Sequence, residues 1–392
     1  MSVHADRPAV LIYRKQLLLW SETFIAAQAH ALERYRPVFT GLRYRAEGRA
    51  YMRDAASETL AQHARLPKLS KLLFLEGQVV PRRWLRALAA HRPALLHAHF
   101  GWESVNARAI ARALGIPFVV TFHGMDITVD RGTRKERRQR ATAFRDARRI
   151  IAVSEFIAAR LIEAGAPRER LIVHHIGVDT ALFAPGDEPR ADDEVLFVGR
   201  LVEKKGLIHL LRAMARMRET WPAAKLTVVG DGPLREPLER EAAALRLDVT
   251  WLGVQKPDRV RALMRRATVL CAPSIVGADG NAEGLPMSIV EAQASGLPVV
   301  AFPSGGSAEG VLEGETGFVV PPADEAALAD RLLALLTDAE RRARFARAAR
   351  AWALREFDLQ AQTRRLETIY DEARAGDATA GRTRAGDARA DR

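Results

Sequence analysis

Short apolar runs alternate with helical patterns along nearly the whole chain. In the first half the runs are "AVLIYR", "PVFTGL", "ALLHAHF", "PFVVTFHG", "RIIAVS" and "LIVHHIG". Between them, apolar positions recur with helical spacing over 22–35, 103–114 and 154–164. In the second half the runs are "EVLFVGR", "KLTVVG", "VTWLG", "TVLCAPS", "PVVAF" and "GFVVP", separated by patterns of one to four helical turns. A strand that is apolar on both faces belongs in a parallel sheet covered by helices, so the pattern predicts an α/β fold of stacked βαβ units. The stretch from Tyr51 to Gln78 yields no clear element.

The rhythm breaks at "GVDTALFAPGDEPRADDE", 177–194, where Pro, Gly and acidic residues interrupt it as a linker does. Two domains are expected, over 1–180 and 193–375, joined by a hinge at 181–192. Two or three helices rich in Ala and Arg follow residue 324 and are assigned to the second domain. The last segment, 376–392, has too few apolar residues to fold and is expected to be disordered.

Composition narrows the class. Hydrophobic residues at 48% and charged residues at 28% fit a globular chain. Nowhere do eighteen uncharged apolar residues run together, so no spanning helix is expected. The single cysteine, Cys271, cannot form an internal disulfide and fits a reducing, cytoplasmic setting. A net charge of +12 favours an anionic partner without choosing among nucleic acid, lipid and phosphorylated ligands. The densest basic stretch, 131–149, holds only Phe144 as an aromatic, which argues against stacking on single strands; no nucleic-acid partner is expected. The segment 66–84, "LPKLSKLLFLEGQVVPRRW", reads first as an amphipathic core helix with a basic outer face and second as a surface lying on an anionic membrane.

Ligands of open parallel sheets sit beyond the carboxyl ends of the strands. "FVGRLVEKKG" ends a strand at Gly199 and then supplies Arg200 and Lys205, two cations suited to a diphosphate, although on spacing alone they are as readily ordinary surface residues. "APSIVGADGNAEGLPMSIVEAQASG" runs from a buried strand through a Gly-rich loop into a helix opened by Pro286 and closed by Gly296. Glu283 then lies in the loop and Glu291 inside the helix. The backbone N–H groups near Met287 and Ser288 point out of the helix start, where the macrodipole favours a phosphate. Two carboxylates on opposite sides of that phosphate match a nucleotide-sugar, Glu283 facing the sugar and Glu291 the ribose.

"EGLPMSIVE" resembles the Ex7E motif of the retaining glycosyltransferases of family 4, which have the two-domain GT-B fold. "FVGRLVEKKG", "LTVVGDGPLREPLE", "VTWLG" and "GGSAEGVLEGETGFVVPPAD" follow in that family's order, so the resemblance covers 193–340. "HAHFGWESVNARAIARALGIPFVVTFHGMDIT" is similar to the stretch in which such enzymes carry a histidine that touches the donor sugar. "TFHGMDIT" with "LLWSETFI" is similar to the colanic-acid and exopolysaccharide branch. The resemblance implies two Rossmann-like domains facing a central cleft. Arg200 and Lys205 would hold the donor diphosphate, Glu283 the hexose, Glu291 the ribose and His123 the sugar from the other domain. Leu252 and Gly253 would lie against the base, with Gly230 lining the same cleft. One departure stands out: many members place a Gly-rich turn after the first strand, whereas "YRKQLLLWSETF" has no glycine, and Ser21 or Thr23 is read as a helix cap.

The implied reaction moves a hexose, with retention, from a UDP- or GDP-sugar to a saccharide acceptor linked to polyprenyl diphosphate, in exopolysaccharide or cell-surface polysaccharide assembly. It would run at the inner face of the cytoplasmic membrane. No metal or other cofactor is expected: no Asp-x-Asp follows a strand, and His97/His99 and His174/His175 lack a Cys or acidic ligand set. A nucleotide-sugar 2-epimerase-like isomerase on the same architecture is the alternative, without this combination of "GRLVEKKG" and Ex7E. An NAD-dependent oxidoreductase would need a G-x-G-x-x-G that opens neither half.

Overall fold

The computed structural model describes residues 7–19, 22–45, 47–186 and 190–387. The chain divides into two compact units. The first comprises Met1–Val153, Ile157–Gly177 and Leu359–Arg392, the second Ser154–Phe156 and Val178–Asp358.

In the first unit β1 (Ala9–Tyr13), β2 (Arg36–Gly41), β3 (Ala56–Thr59), β4 (Pro93–His99), β5 (Phe118–Phe122), β6 (Arg149–Ala152) and β7 (Leu171–Val173) form one sheet. Its order is β3-β2-β1-β4-β5-β6-β7, with every pairing parallel. β1 and β5 are buried along their whole length, which is why they read as unbroken apolar runs. β3, "ASET", gives no such signal because it is a half-buried edge strand. Of the two residues read as caps of the Thr23–His30 helix, Ser21 lies outside the described residues. Thr23 is the first helical residue, and Glu22 holds the cap position without a capping side-chain bond.

The last helix, Leu359–Asp387, belongs to this first unit rather than to the second, where the sequence pattern assigns the terminal helices. Leu366, Ile369, Tyr370 and Ala373, spaced along one helical face, join Val10, Ile12, Phe39, Leu95 and Val119 in a single core. Glu367, beside that stripe, is wholly buried, and its Oε1 accepts the N–H groups of Glu33, Arg34 and Tyr35 at 2.9, 2.6 and 3.2 Å. An apolar stripe announces that a helix face is buried; it does not name what covers it. The helix also continues to Asp387, through most of the segment expected to lack structure, since Ala and Arg are strong helix formers.

In the second unit β8 (Glu194–Val198), β9 (Lys225–Val229), β10 (Val249–Gly253), β11 (Val269–Ala272), β12 (Val299–Ala301) and β13 (Gly317–Val319) form a parallel sheet ordered β10-β9-β8-β11-β12-β13. Alternate residues serve two cores. Val195, Phe197, Val228 and Cys271 face one layer of helices, while Leu196, Val229, Leu270 and Val299 face the other. In each unit the strand order reverses beside the first strand, between β1 and β4 and between β8 and β11. Helices leave in opposite directions there, which opens a crevice at the carboxyl ends. Among the described residues no helix is long and apolar enough to cross a membrane.

Candidate functional site

The reversal point of the second unit collects most of the residues singled out from sequence. The loop after β8 carries Gly199, Arg200, Lys204 and Lys205, and the loop after β11 carries Ser274 through Pro286. Ile275 N–H donates to Lys204 O at 2.8 Å, stitching the two loops together. Gly206, at φ 62°, lets the chain pass so close that a Cβ would sit 1.8 Å from Pro273 O. Gly230, at φ 129°, does the same beneath Arg200: a Cβ there would lie 1.9 Å from Gly199 O. Its N–H donates to Gly253 O at 2.8 Å, which brings the ends of β9 and β10 to the same crevice with Leu252 half-buried beside them.

Glu283 is buried in this crevice. Its Oε1 lies 3.0 Å from Lys205 Nζ and 3.7 Å from Lys204 Nζ, so two cations flank the carboxylate. Burial pushes the Glu283 carboxyl up, but Lys205, Lys204 and a hydrogen bond from Ser274 outweigh it and hold it below the usual carboxylate range. Lys204, which sequence reasoning passed over for Arg200, is lowered by burial against the pull of Glu283 and also donates to Asn281 Oδ1 at 3.3 Å. Only its position beside Lys205 could have marked it. Arg200 is exposed, and its side chain has no hydrogen bond or ion pair among the described residues.

Helix Met287–Ala294 starts where expected, with Pro286 at the cap and Gly296 beyond the end at φ 63°. Ile289 N–H is the first to bond back, to Pro286 O at 3.1 Å, so the Met287 and Ser288 N–H groups face out of the helix start. Glu291 sits one turn in. Burial, opposed only by Arg261, pushes its carboxyl up to about 8. Glu283 is thus held as an anion, while Glu291 keeps its proton more readily than an ordinary carboxyl and in that form can both donate and accept.

In the first unit the carboxyl ends of β1, β4 and β5 hold a second cluster. Where a Gly-rich turn might follow β1, buried Arg14 instead meets Glu22 at 2.5 Å and Glu103 at 2.9 Å. Its guanidinium lies 4.3 Å from the centroid of the Phe100 ring. His123 follows β5 in a loop fixed by Asp126, whose carboxylate accepts the N–H groups of His123, Gly124 and Gly101 at 3.0, 2.9 and 2.7 Å. Burial still raises that carboxyl to about 6 against the three donors. His123 Nε2 and His99 Nδ1 share a hydrogen bond at 3.1 Å, while His123 Nδ1 is buried without a partner. Burial, Arg14 and His97 hold the His123 ring well below its ordinary pKa, so it is neutral and able to offer Nδ1 to a ligand. His97 is occupied by Tyr370 and Thr121 at 2.6 and 2.7 Å, and His174 by Gln362 O at 2.8 Å. Glu22, Glu103 and Asp126 lie within stretches that carry the resemblance, but none of them, nor Arg14, was singled out, because only the sheet topology assembles them.

Two parallel-sheet units with these strand ends define the GT-B type of glycosyltransferase. Residues 21–182 match the family model described as Glycosyltransferase Family 4, and 179–352 match that of glycosyl transferases group 1. WcaL of Escherichia coli (strain K12), named for colanic acid biosynthesis, is 32% identical over 280 residues, 69% of each chain. The amylovoran biosynthesis glycosyltransferase AmsK of Erwinia amylovora is 27% identical over 339 residues, 81% of this chain and 83% of its own. Among solved structures, Anabaena Alr3699/HepE in complex with UDP and glucose superposes with a TM-score of 0.77 at 21% identity, covering 93% of this chain and all of that one. The chain belongs to the family 4, group 1 glycosyltransferases, and it is a glycosyltransferase.

Proposed function

We propose that this glycosyltransferase moves a hexose from a UDP- or GDP-sugar to a saccharide carried on polyprenyl diphosphate, in the assembly of an exopolysaccharide at the inner face of the cytoplasmic membrane. One observation carries the donor assignment: ionised Glu283, paired with Lys205 and Lys204, stands beside a helix start with two outward N–H groups, where the strand order reverses. A diphosphate over Met287 and Ser288 places the hexose toward Glu283 and the ribose toward Glu291. Arg200, exposed beside this pair, closes on the diphosphate, and Leu252 and Gly253 lie along the base. Binding displaces the lysines from Glu283 toward the phosphates and frees its oxygens for sugar hydroxyls. His123 offers Nδ1 to the sugar.

The charge that develops on the departing nucleoside diphosphate is met by Arg200, Lys205 and the helix start, a fixed set of donors that need not reorganise during reaction. Departure and attack on the same face keep the anomeric configuration, with the leaving phosphate accepting the proton of the acceptor hydroxyl. The HepE complex with UDP and the polymer names of WcaL and AmsK support the donor and product classes.

A panel of UDP- and GDP-sugars, assayed by calorimetry and by release of nucleoside diphosphate, tests this. One of them is expected to bind. Glu283→Ala and His123→Ala are expected to cut turnover at least tenfold, and Lys205→Ala to weaken nucleoside diphosphate itself. If no nucleotide-sugar binds, the reading falls.

A further inference from the structure

Among the described residues ten large apolar side chains are exposed, and five of them fall in one short stretch: Leu66, Leu69, Leu72, Leu73 and Val79, each 47% to 63% exposed. The stretch is built around the helix Pro67–Gly77, whose one buried residue, Phe74, packs edge-on against Trp84 with ring centroids 5.2 Å apart. At about 100° per residue, Leu72 lies roughly 160°, Leu69 roughly 140° and Leu73 roughly 100° around the axis from Phe74. The leucines are therefore turned away from the unit that Phe74 anchors. A core helix with a basic outer face, the first reading from sequence, would have buried them; the structure overturns it. A surface helix in water normally shows the reverse pattern.

The surroundings identify what covers such a face. Arg65, Lys68, Lys71, Arg82, Arg83 and Arg86 are all exposed, none forms an ion pair among the described residues, and Glu76 is the only carboxylate between 65 and 86. Two copies meeting here would set six cations against six, which disfavours self-association. A partner must be apolar where the leucines are and anionic around them, the chemistry of an acidic lipid surface.

We propose that the Leu66–Val79 face seats Leu69, Leu72 and Leu73 in an anionic bilayer, with Lys68, Lys71 and the arginines at 82, 83 and 86 on the headgroups. This rests on the membrane-side acceptor proposed above only for its purpose; the surface itself is independent of the donor site. The full chain would be sedimented with vesicles of phosphatidylethanolamine containing about one-third phosphatidylglycerol, and with pure phosphatidylcholine. Binding to the anionic vesicles is expected to exceed binding to the neutral ones at least tenfold. The triple variant Leu69→Ser/Leu72→Ser/Leu73→Ser and the double variant Lys68→Glu/Lys71→Glu are each expected to lose it, with unchanged circular dichroism and unchanged nucleotide-sugar binding. Leu72→Trp is expected to show a blue-shifted emission on adding anionic vesicles. Unaltered vesicle binding by the triple variant, equal binding to neutral vesicles, or no Leu72→Trp shift would overturn the proposal, as would a wild-type dimer that the triple variant dissolves without a change in vesicle binding. Donor binding without vesicle binding sinks this surface alone; vesicle binding without donor binding sinks only the donor reading.

Discussion

Glu283 and Glu291 show how far one side chain can be driven in opposite directions within a single loop and helix. Two lysines hold the first ionised, while burial, against the opposing pull of Arg261, raises the second to about 8 from an ordinary 4.5. Below the unfolded value Glu291 is protonated whether or not the chain is folded, so it does not alter stability. Between pH 4.5 and about 8 the unfolded chain gives up that proton and the folded one keeps it, so stability falls as pH rises, and the loss is complete above the folded value. Scanning calorimetry between pH 5 and 8 is expected to show the melting temperature of the wild type declining relative to that of Glu291→Gln, whose amide has no proton to lose. Parallel curves would refute the buried acid. His97 and His174 act in the opposite sense: lowered by burial to about 3 and about 4, they withhold protons that the unfolded chain takes up below pH 6.5, so they destabilise the first unit progressively on acidification.

The elements that bear the residues proposed to hold the donor were legible because each is punctuated. The apolar runs of β8 and β11 stop at glycine or proline, and the loop residues that follow are those a phosphate needs. Glu283 and Glu291 fall on either side of a helix start that Pro286 and Gly296 bracket, so their separation was readable from spacing. The seam between neighbouring loops was not readable. Gly305, at φ 59°, passes so close to the Glu283 backbone that a Cβ would sit 2.0 Å from Glu283 O. Gly305→Ala is expected to cost about 1–3 kcal/mol in urea unfolding and to weaken nucleotide-sugar binding more than tenfold by pushing Glu283 off its lysines. Glu283→Gln, by contrast, should leave the fold intact. On the other unit, β3 escaped notice because an edge strand of "ASET" needs no apolar run, and the Arg14–Glu22–Glu103 cluster joins residues up to 89 positions apart that share no motif.

At the scale of the whole molecule, the α/β class and the two-part division followed from rhythm and from one linker, but the path of the chain did not. The terminal helix returns to the first unit, and its apolar stripe is joined there by a polar anchor: wholly buried Glu367 satisfies three consecutive backbone donors. Glu367→Ala would strand those donors and is expected to destabilise the first unit by about 2–4 kcal/mol, read from its own urea transition, while that of the second unit stays in place. Coincident shifts of both transitions would show instead that the units unfold together.

That return path also sets the order of events on the ribosome. Units usually mature from the amino terminus onward as the chain emerges. Here the later unit has nearly all its strands and helices in one continuous stretch ending at Asp358, whereas the earlier one lacks Leu366, Ile369 and Tyr370 until that whole stretch has been made. The sheet made first must therefore wait, with one core only partly covered by the Thr23–His30 helix, while the whole of its neighbour is synthesised and folds. A message cut short just after residue 358 would yield a finished second unit tethered to an unfinished first one.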